Sequence, residues 1–183
     1  MSRSIFYLFF FLMGMSLVFV PKDYNQTHIT LTPIVFAKPV DLKQIACLAK
    51  NIYYEAGSES ILGQAAVARV VLNRVNHGFA KTPCAVIYQS TGEDETRVCQ
   101  FSWVCADVPP ISTHHPAYKQ AEKIAHDVLV NNAYKEVLPD SVLFFHRILI
   151  EPNWSYRQMK IIGNHLFYAR GKRPKQVAEP VTE

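Results

Sequence analysis

The sequence predicts an α+β domain, mainly helical, with a small antiparallel β-hairpin sheet towards its C-terminal end. Three observations lead there. Apolar residues recur at helical spacing in two adjacent runs, Leu42 to Ala56 and Ile61 to Val75, and again after Pro116. The pair Gly163-Asn164 stands between two short apolar runs, Met159 to Ile162 and His165 to Tyr168, which is a two-residue hairpin signal. The helical runs also precede the strand runs, so the two kinds of structure are segregated along the chain. At 183 residues, 49% hydrophobic and 19% charged, the chain suits one globular domain with its own core.

Residues 1–37 are expected to be a signal peptide or an N-terminal membrane anchor. Arg3 gives a short positive region, and Ile5 to Val20 is almost uninterrupted Phe, Leu, Met and Val. A second apolar stretch ends in Val35-Phe36-Ala37, a small-residue cleavage signal before Lys38. Either alternative exports the remainder of the chain, the second with possible membrane association. The four cysteines, Cys47, Cys84, Cys99 and Cys105, agree with an oxidising compartment and allow three connectivities for two disulfides. The favoured pairing closes a small loop with Cys99 and Cys105 and ties Cys47 to Cys84. None of the spacings is a zinc knuckle, so no metal is expected, and no cofactor. The net charge of +4 is scattered, which disfavours nucleic acid and is compatible with an anionic polymer such as a cell wall. A monomer is expected. Residues 171–183, with Lys172, Arg173 and Lys175, read as a basic flexible tail, leaving 38–170 as the folded domain.

Within that domain the elements come in order. Asp41 is a candidate N-cap for the first helix, whose apolar face holds Leu42, Ile45, Ala46, Ala49, Ile52, Tyr53 and Ala56. Gly57 ends it. Ser58 or Ser60 caps the second helix, where Ala65, Ala68, Val71, Leu72 and Val75 form the stripe, and Asn76-His77-Gly78 closes it. Thr82 to Gln89 reads as a turn or two of helix and Ser90 to Arg97 as a polar loop. Pro116 opens a third long helix with Ala117, Ala121, Ile124, Ala125, Val128 and Leu129 inside. Val142 to Phe145 is expected as a strand, Glu151 to Trp154 as a turn, and then comes the hairpin.

The chemistry centres on Glu55, at the margin of the first helix's apolar face beside Leu48 and Ile52. Partial burial disfavours a charged carboxylate and raises its pKa, which suits a general acid near neutral pH. Gln100, Phe101, Ser102, Trp103, Trp154 and Tyr168 are the residue types a carbohydrate groove needs, with rings for the apolar sugar faces and amides or hydroxyls for sugar hydroxyls. His146 and His165, in or beside strands, are further candidates for lining it. Glu59, beyond Gly57, is the nearest understudy to Glu55 and is expected at the surface. Glu93, Asp94 and Glu95 form a solvated acidic loop that would be the source of a second carboxylate if one is used.

Several ordered blocks resemble one family. Leu48-Ala49 with Asn51-Ile52-Tyr53-Tyr54-Glu55-Ala56, Gly63-Gln64-Ala65-Ala66-Val67-Ala68, Val71-Leu72-Asn73-Arg74-Val75, Cys99-Gln100-Phe101-Ser102-Trp103 and Ile162-Gly163-Asn164-His165 with Phe167-Tyr168 are similar to the SleB-type cell wall hydrolases, which include spore-cortex-lytic enzymes. The likeness spans about Leu42 to Arg170. It implies a lysozyme-like fold, the peptidoglycan glycan strand as substrate, and Glu55 as catalytic acid, with Tyr54 and Gln64 joining the groove residues. Gly57-Ser58 stand where the family commonly has a basic residue. With one well-placed carboxylate, the expected reaction is that of a lytic transglycosylase. Hydrolysis with a second carboxylate and a non-catalytic glycan-binding module are the alternatives. A metal-dependent amidase is disfavoured by the absence of a His-Glu-x-x-His block.

Overall fold

The computed structural model describes residues 41–172, apart from a few side chains. Its helices are α1 (Leu42–Ala56), α2 (Ile61–Asn76), α3 (Pro83–Ile87) and α4 (Pro116–Val130). Its strands are β1 (Ser90–Thr91), β2 (Val98–Cys99), β3 (Val142–Arg147), β4 (Tyr156–Ile162) and β5 (His165–Lys172). Short 3-10 turns fill Asp94–Thr96, Ser102–Val104 and Lys135–Val137. The α+β class is as expected. The export segment and most of the basic tail lie outside the described residues, although Gly171 and Lys172, expected in that tail, continue β5.

Local chemistry explains the helix ends. The Asp41 side chain accepts the Lys43 amide at 3.0 Å, and Ser60, not Ser58, accepts the Gly63 amide at 3.3 Å. Pro116 takes the first turn of α4, where an amide hydrogen would have no partner in any case, and His115 caps it through Nδ1. Gly57 ends α1 for a different reason than a left-handed cap. Its φ is −60°, and it is glycine because a Cβ there would run into the Tyr53 carbonyl oxygen. Leu42, expected on the apolar face, is 74% exposed, since the first helical turn overhangs the core.

Helix α2 is buried on two sides at once. One face, with Ala65, Ala68 and Val71, joins Ile45, Leu48, Ala49 and Ile52 of α1, Tyr118, Ala121, Ile124 and Val128 of α4, and Val86 and Ile87 of α3. The opposite face, with Ala66, Val67 and Val70, meets Leu138, Val142 and Phe167 against the sheet. A helix buried on opposite faces is a central helix. Its mostly small side chains let neighbours close in from both directions.

Its buried polar groups anchor the approach to the sheet. Asn73 Nδ2 donates to the Pro139 and Val142 carbonyls at 3.0 Å each, and Arg74 Nε donates to the Leu143 carbonyl at 2.7 Å. Each such bond contributes about 1 kcal/mol, and losing one strands a desolvated group. The sheet runs β3-β5-β4, antiparallel throughout, with Ile162 opposite His165 across the two-residue turn. Gly163 has φ +57°, while Asn164 does not enter the left-handed region, the sign pattern of a type II′ hairpin turn.

Two expectations need correction here. The segment Ser90 to Arg97 is not simply a loop: Ser90 pairs with Cys99 and Thr91 with Val98, and Gly92 at φ +79° makes the turn possible. β3 also runs past Phe145 to include His146 and Arg147. The disulfides are Cys47–Cys84, linking α1 to α3 with Cα atoms 5.3 Å apart, and Cys99–Cys105, closing the short loop. Both pairings are the favoured ones, and two disulfides fit an exported domain.

Candidate active site

Glu55 lies one residue from the end of α1, in a cavity of about 350 Å³. Tyr53, Tyr54, Gly57, Ser58, Glu59, His115, Ala117 and Arg147 line the rest of it. These residues come from the α1–α2 junction, the start of α4 and the end of β3, so the site forms only when helices and sheet meet. Burial pushes the Glu55 carboxyl up to about 7, with the positive charges of Arg74 and Arg147 pulling the other way. At neutral pH such a group holds a proton part of the time, which is what an acid that must also act as a base requires.

Arg74 is 4% exposed, with its guanidinium 5.2 Å from the Phe101 ring centre, 5.8 Å from Phe144 and 5.9 Å from Phe79. Burial lowers its pKa to about 10, so it remains a cation, and the nearby Glu55 charge favours that form. It thus acts on Glu55 from beneath, while Arg147 acts from the exposed rim.

The expected site residues divide into groups. Tyr54 lines the cavity and stacks on Trp103 at 4.8 Å, with Trp103 Nε1 donating to Asn51 Oδ1 at 3.0 Å and the Tyr54 hydroxyl donating to the Pro109 carbonyl at 2.8 Å. This pair makes a fixed aromatic wall that reaches the Glu55 cavity through Tyr54. Ser102 is exposed next to it at the start of its 3-10 turn. His146, Trp154 and Tyr168 form a second aromatic group on the sheet, with His146 Nε2 hydrogen-bonded to the Tyr168 hydroxyl at 2.7 Å and Trp154 edge-on to both rings. Trp154 is 37% exposed and Tyr168 is buried. Gln100 borders a separate groove with Phe79, Gln89 and Ser90.

Three further expected residues offer no more surface to a ligand than Tyr168 does. Phe101 is 3% exposed beneath Arg74. Gln64 is 4% exposed and donates through Nε2 to the Glu59 carbonyl at 3.0 Å. His165 is 1% exposed, edge-on to Phe145. Each looked like a groove residue because polar and aromatic types serve both cores and sites; here they support the site from behind.

Conversely, three residues of the site were not foreseen, and a fourth was misplaced. Arg74 carried a faint signal, a cation inside an apolar helical stripe between Val71 and Val75. Arg147 and His115 carried none. Glu59 was expected at the surface, yet its side chain is 6% exposed and lines the cavity. Glu93 and Glu95, by contrast, are exposed on the β1–β2 hairpin and are not among the cavity's lining residues.

A semi-buried glutamate at a helix end, in a cavity between helices and sheet, makes a candidate acid–base site, and comparison narrows the class. Residues 58–168 match the cell wall hydrolase family model, and the chain belongs to that family. The match begins just past Glu55. Among solved structures, the chain is similar to the catalytic domain of the Bacillus cereus SleB protein, at 23% identity over 72% of this chain and 93% of that one, with a TM-score of 0.47. It is also similar to the catalytic domain of the germination-specific lytic transglycosylase SleB from Bacillus anthracis, at 24% identity over 73% and 99%, with a TM-score of 0.49. No curated protein matches the chain.

Proposed function

We propose that this cell wall hydrolase is an exported lytic transglycosylase of lysozyme-like fold, cutting peptidoglycan glycan strands with Glu55 as acid and then base. The observation that carries the reading is the Glu55 carboxyl, held near pH 7 by burial in a cavity of substrate dimensions. Protonated Glu55 gives its proton to the glycosidic oxygen as the C1–O bond breaks. The resulting carboxylate takes the proton of the muramic C6 hydroxyl, whose oxygen closes on C1. An anhydro ring forms, no water is consumed, and Glu55 returns to its starting state.

The Tyr54–Trp103 wall is suited to stacking a sugar ring, with Ser102 beside it to hydrogen-bond. Trp154, with His146 and Tyr168 behind it, offers a second ring surface, and Gln100 a polar contact farther along the strand. Trp103→Ala is expected to raise KM about tenfold with kcat largely kept, because stacking acts in ground and transition state alike. Equal loss from kcat would move Trp103 from binding to chemistry.

Hydrolysis is the second reading, favoured by one fact: Glu59 lines the same cavity. Both its oxygens already accept hydrogen bonds from Asn164, which argues against a free nucleophile or base. Mass spectra of muropeptides released by the purified protein separate the two. Products one water lighter than hydrolysed ends support transglycosylation; ordinary reducing ends would replace it with hydrolysis. Binding without release from any wall type would leave a binding module.

A further inference from the structure

Glu59 is seated in a slot made for it. The Asn164 amide donates to its Oε2 at 3.2 Å, Asn164 Nδ2 donates to Oε1 at 3.0 Å, and His165 Nδ1 lies 3.8 Å from Oε1. Two glycines leave the space. A Cβ on Gly63 would come within 2.9 Å of the Glu59 Cβ, and one on Gly163 would run into the carboxylate itself. The side chain therefore spans from the α1–α2 junction to the β4–β5 turn, between residues 105 apart in sequence.

The connection continues into the cavity. The Asn164 carbonyl accepts the Ile148 amide at 2.8 Å, and the preceding residue, Arg147, pairs in register with His165. Arg147 is exposed, lines the cavity and acts on Glu55. We infer that Glu59 is a positioning residue: with Asn164 it clamps the β4–β5 turn and, through that turn, holds Arg147 at its place over Glu55. This rests on Glu55 being the catalytic acid.

The groups around Glu55 are Arg74 from α2, Arg147 from β3, Glu59 from the α1–α2 junction, His115 from the cap of α4, and Tyr53 and Tyr54 from α1. Of these, Arg147 is the one that depends on the clamp. Its positive charge favours ionised Glu55 and so holds the carboxyl lower than burial alone would. Release of Arg147 raises the Glu55 pKa further, and the acid form persists to higher pH.

The test is the pH profile of the full-length protein in Glu59→Ala, Asn164→Ala, Arg147→Ala and the Glu59→Ala/Arg147→Ala pair. Each single variant is expected to lose about ten- to a hundredfold in kcat, the scale of a misplacement near 1 Å. Asn164→Ala and Arg147→Ala also move the alkaline limb of kcat/KM to higher pH; Glu59→Ala moves it less, because it also removes a carboxylate from the cavity, and the pair moves it no further than Arg147→Ala alone. Glu59→Gln, which keeps an acceptor for the Asn164 amide, restores most of kcat. Should Glu59→Ala not fold, Asn164→Ala carries the test. An unmoved alkaline limb in Asn164→Ala, or additive shifts in the pair, overturns the clamp. So does a loss in Glu59→Gln as deep as in Glu55→Gln with hydrolysed products from the parent, which would make Glu59 a second catalytic carboxylate. Continued cleavage by Glu55→Gln is a separate result and removes the reading beneath.

Discussion

Glu55→Gln is expected to cut glycan cleavage by about a hundred- to ten-thousandfold, the usual contribution of a general acid–base group, while leaving binding of the strand intact. Glutamine matches the carboxyl in shape, so the Tyr54–Trp103 wall and the two arginines keep their places. The variant loses the proton that protonates the leaving oxygen and the base that later recovers one. It also carries a stability signature. Burial raises the folded carboxyl from 4.5 to about 7, so the folded protein binds this proton more tightly than the unfolded chain does. The stabilisation it brings is complete below pH 4.5 and is lost as pH rises through about 7. Glutamine has nothing to ionise. Thermal unfolding of parent and variant should therefore nearly coincide at pH 4, and the variant should outlast the parent at pH 8. Arg74 opposes the effect, because it loses an anionic neighbour, but burial is the larger influence on the carboxyl. A parent more stable than Glu55→Gln at pH 8 would mean that the arginines dominate and the carboxyl is ionised throughout.

Removing the Cys47–Cys84 disulfide by a double change to alanine should cost about 4 kcal/mol, from the loop-closure entropy returned to the unfolded chain. The bridge closes a loop spanning 37 residues, and both cysteines belong to the core beside α1, so the lost sulfurs also leave poorly filled space. For a folded unit of this size, that corresponds to a fall in Tm of about 10–20 °C. Cys99–Cys105 spans only 6 residues, and its removal should cost about half as much. Unfolding scans of the two double variants, against the oxidised parent, check the ordering. Equal losses would show that the bridges act through native contacts near each pair and not through the closed loop.

Much of the fold was legible because its signals are local. The Asp41 and Ser60 caps, the helical spacing from Ile45 to Ile52, Pro116 at the start of α4, and Gly163-Asn164 at the hairpin each reflect interactions within a few residues. Glu55 was legible for the same reason, since its neighbours Leu48 and Ile52 lie within two turns of it. The rest of the site depends on partners far along the chain. Glu59 looked like a surface residue because the groups that bury it, Gly163, Asn164 and His165, belong to the sheet. Arg147 comes after an apolar strand run, with no pattern announcing that it will face the end of α1. Phe101, Gln64 and His165 went the other way, as a packed interior and a sugar groove draw on the same residue types.

The double burial of α2 bears on how the molecule opens. A helix that belongs to one cluster can be released with that cluster while the remainder stays folded. α2 supplies residues to both, so neither can come apart without dismantling the element on which the other is built. The transient openings available to this protein are then confined to its margins, such as the β1–β2 hairpin and the exposed segment after Arg147. Amides in the middle of α2 would exchange with solvent only when the whole domain unfolds. The wall around Glu55 would persist for as long as the fold does.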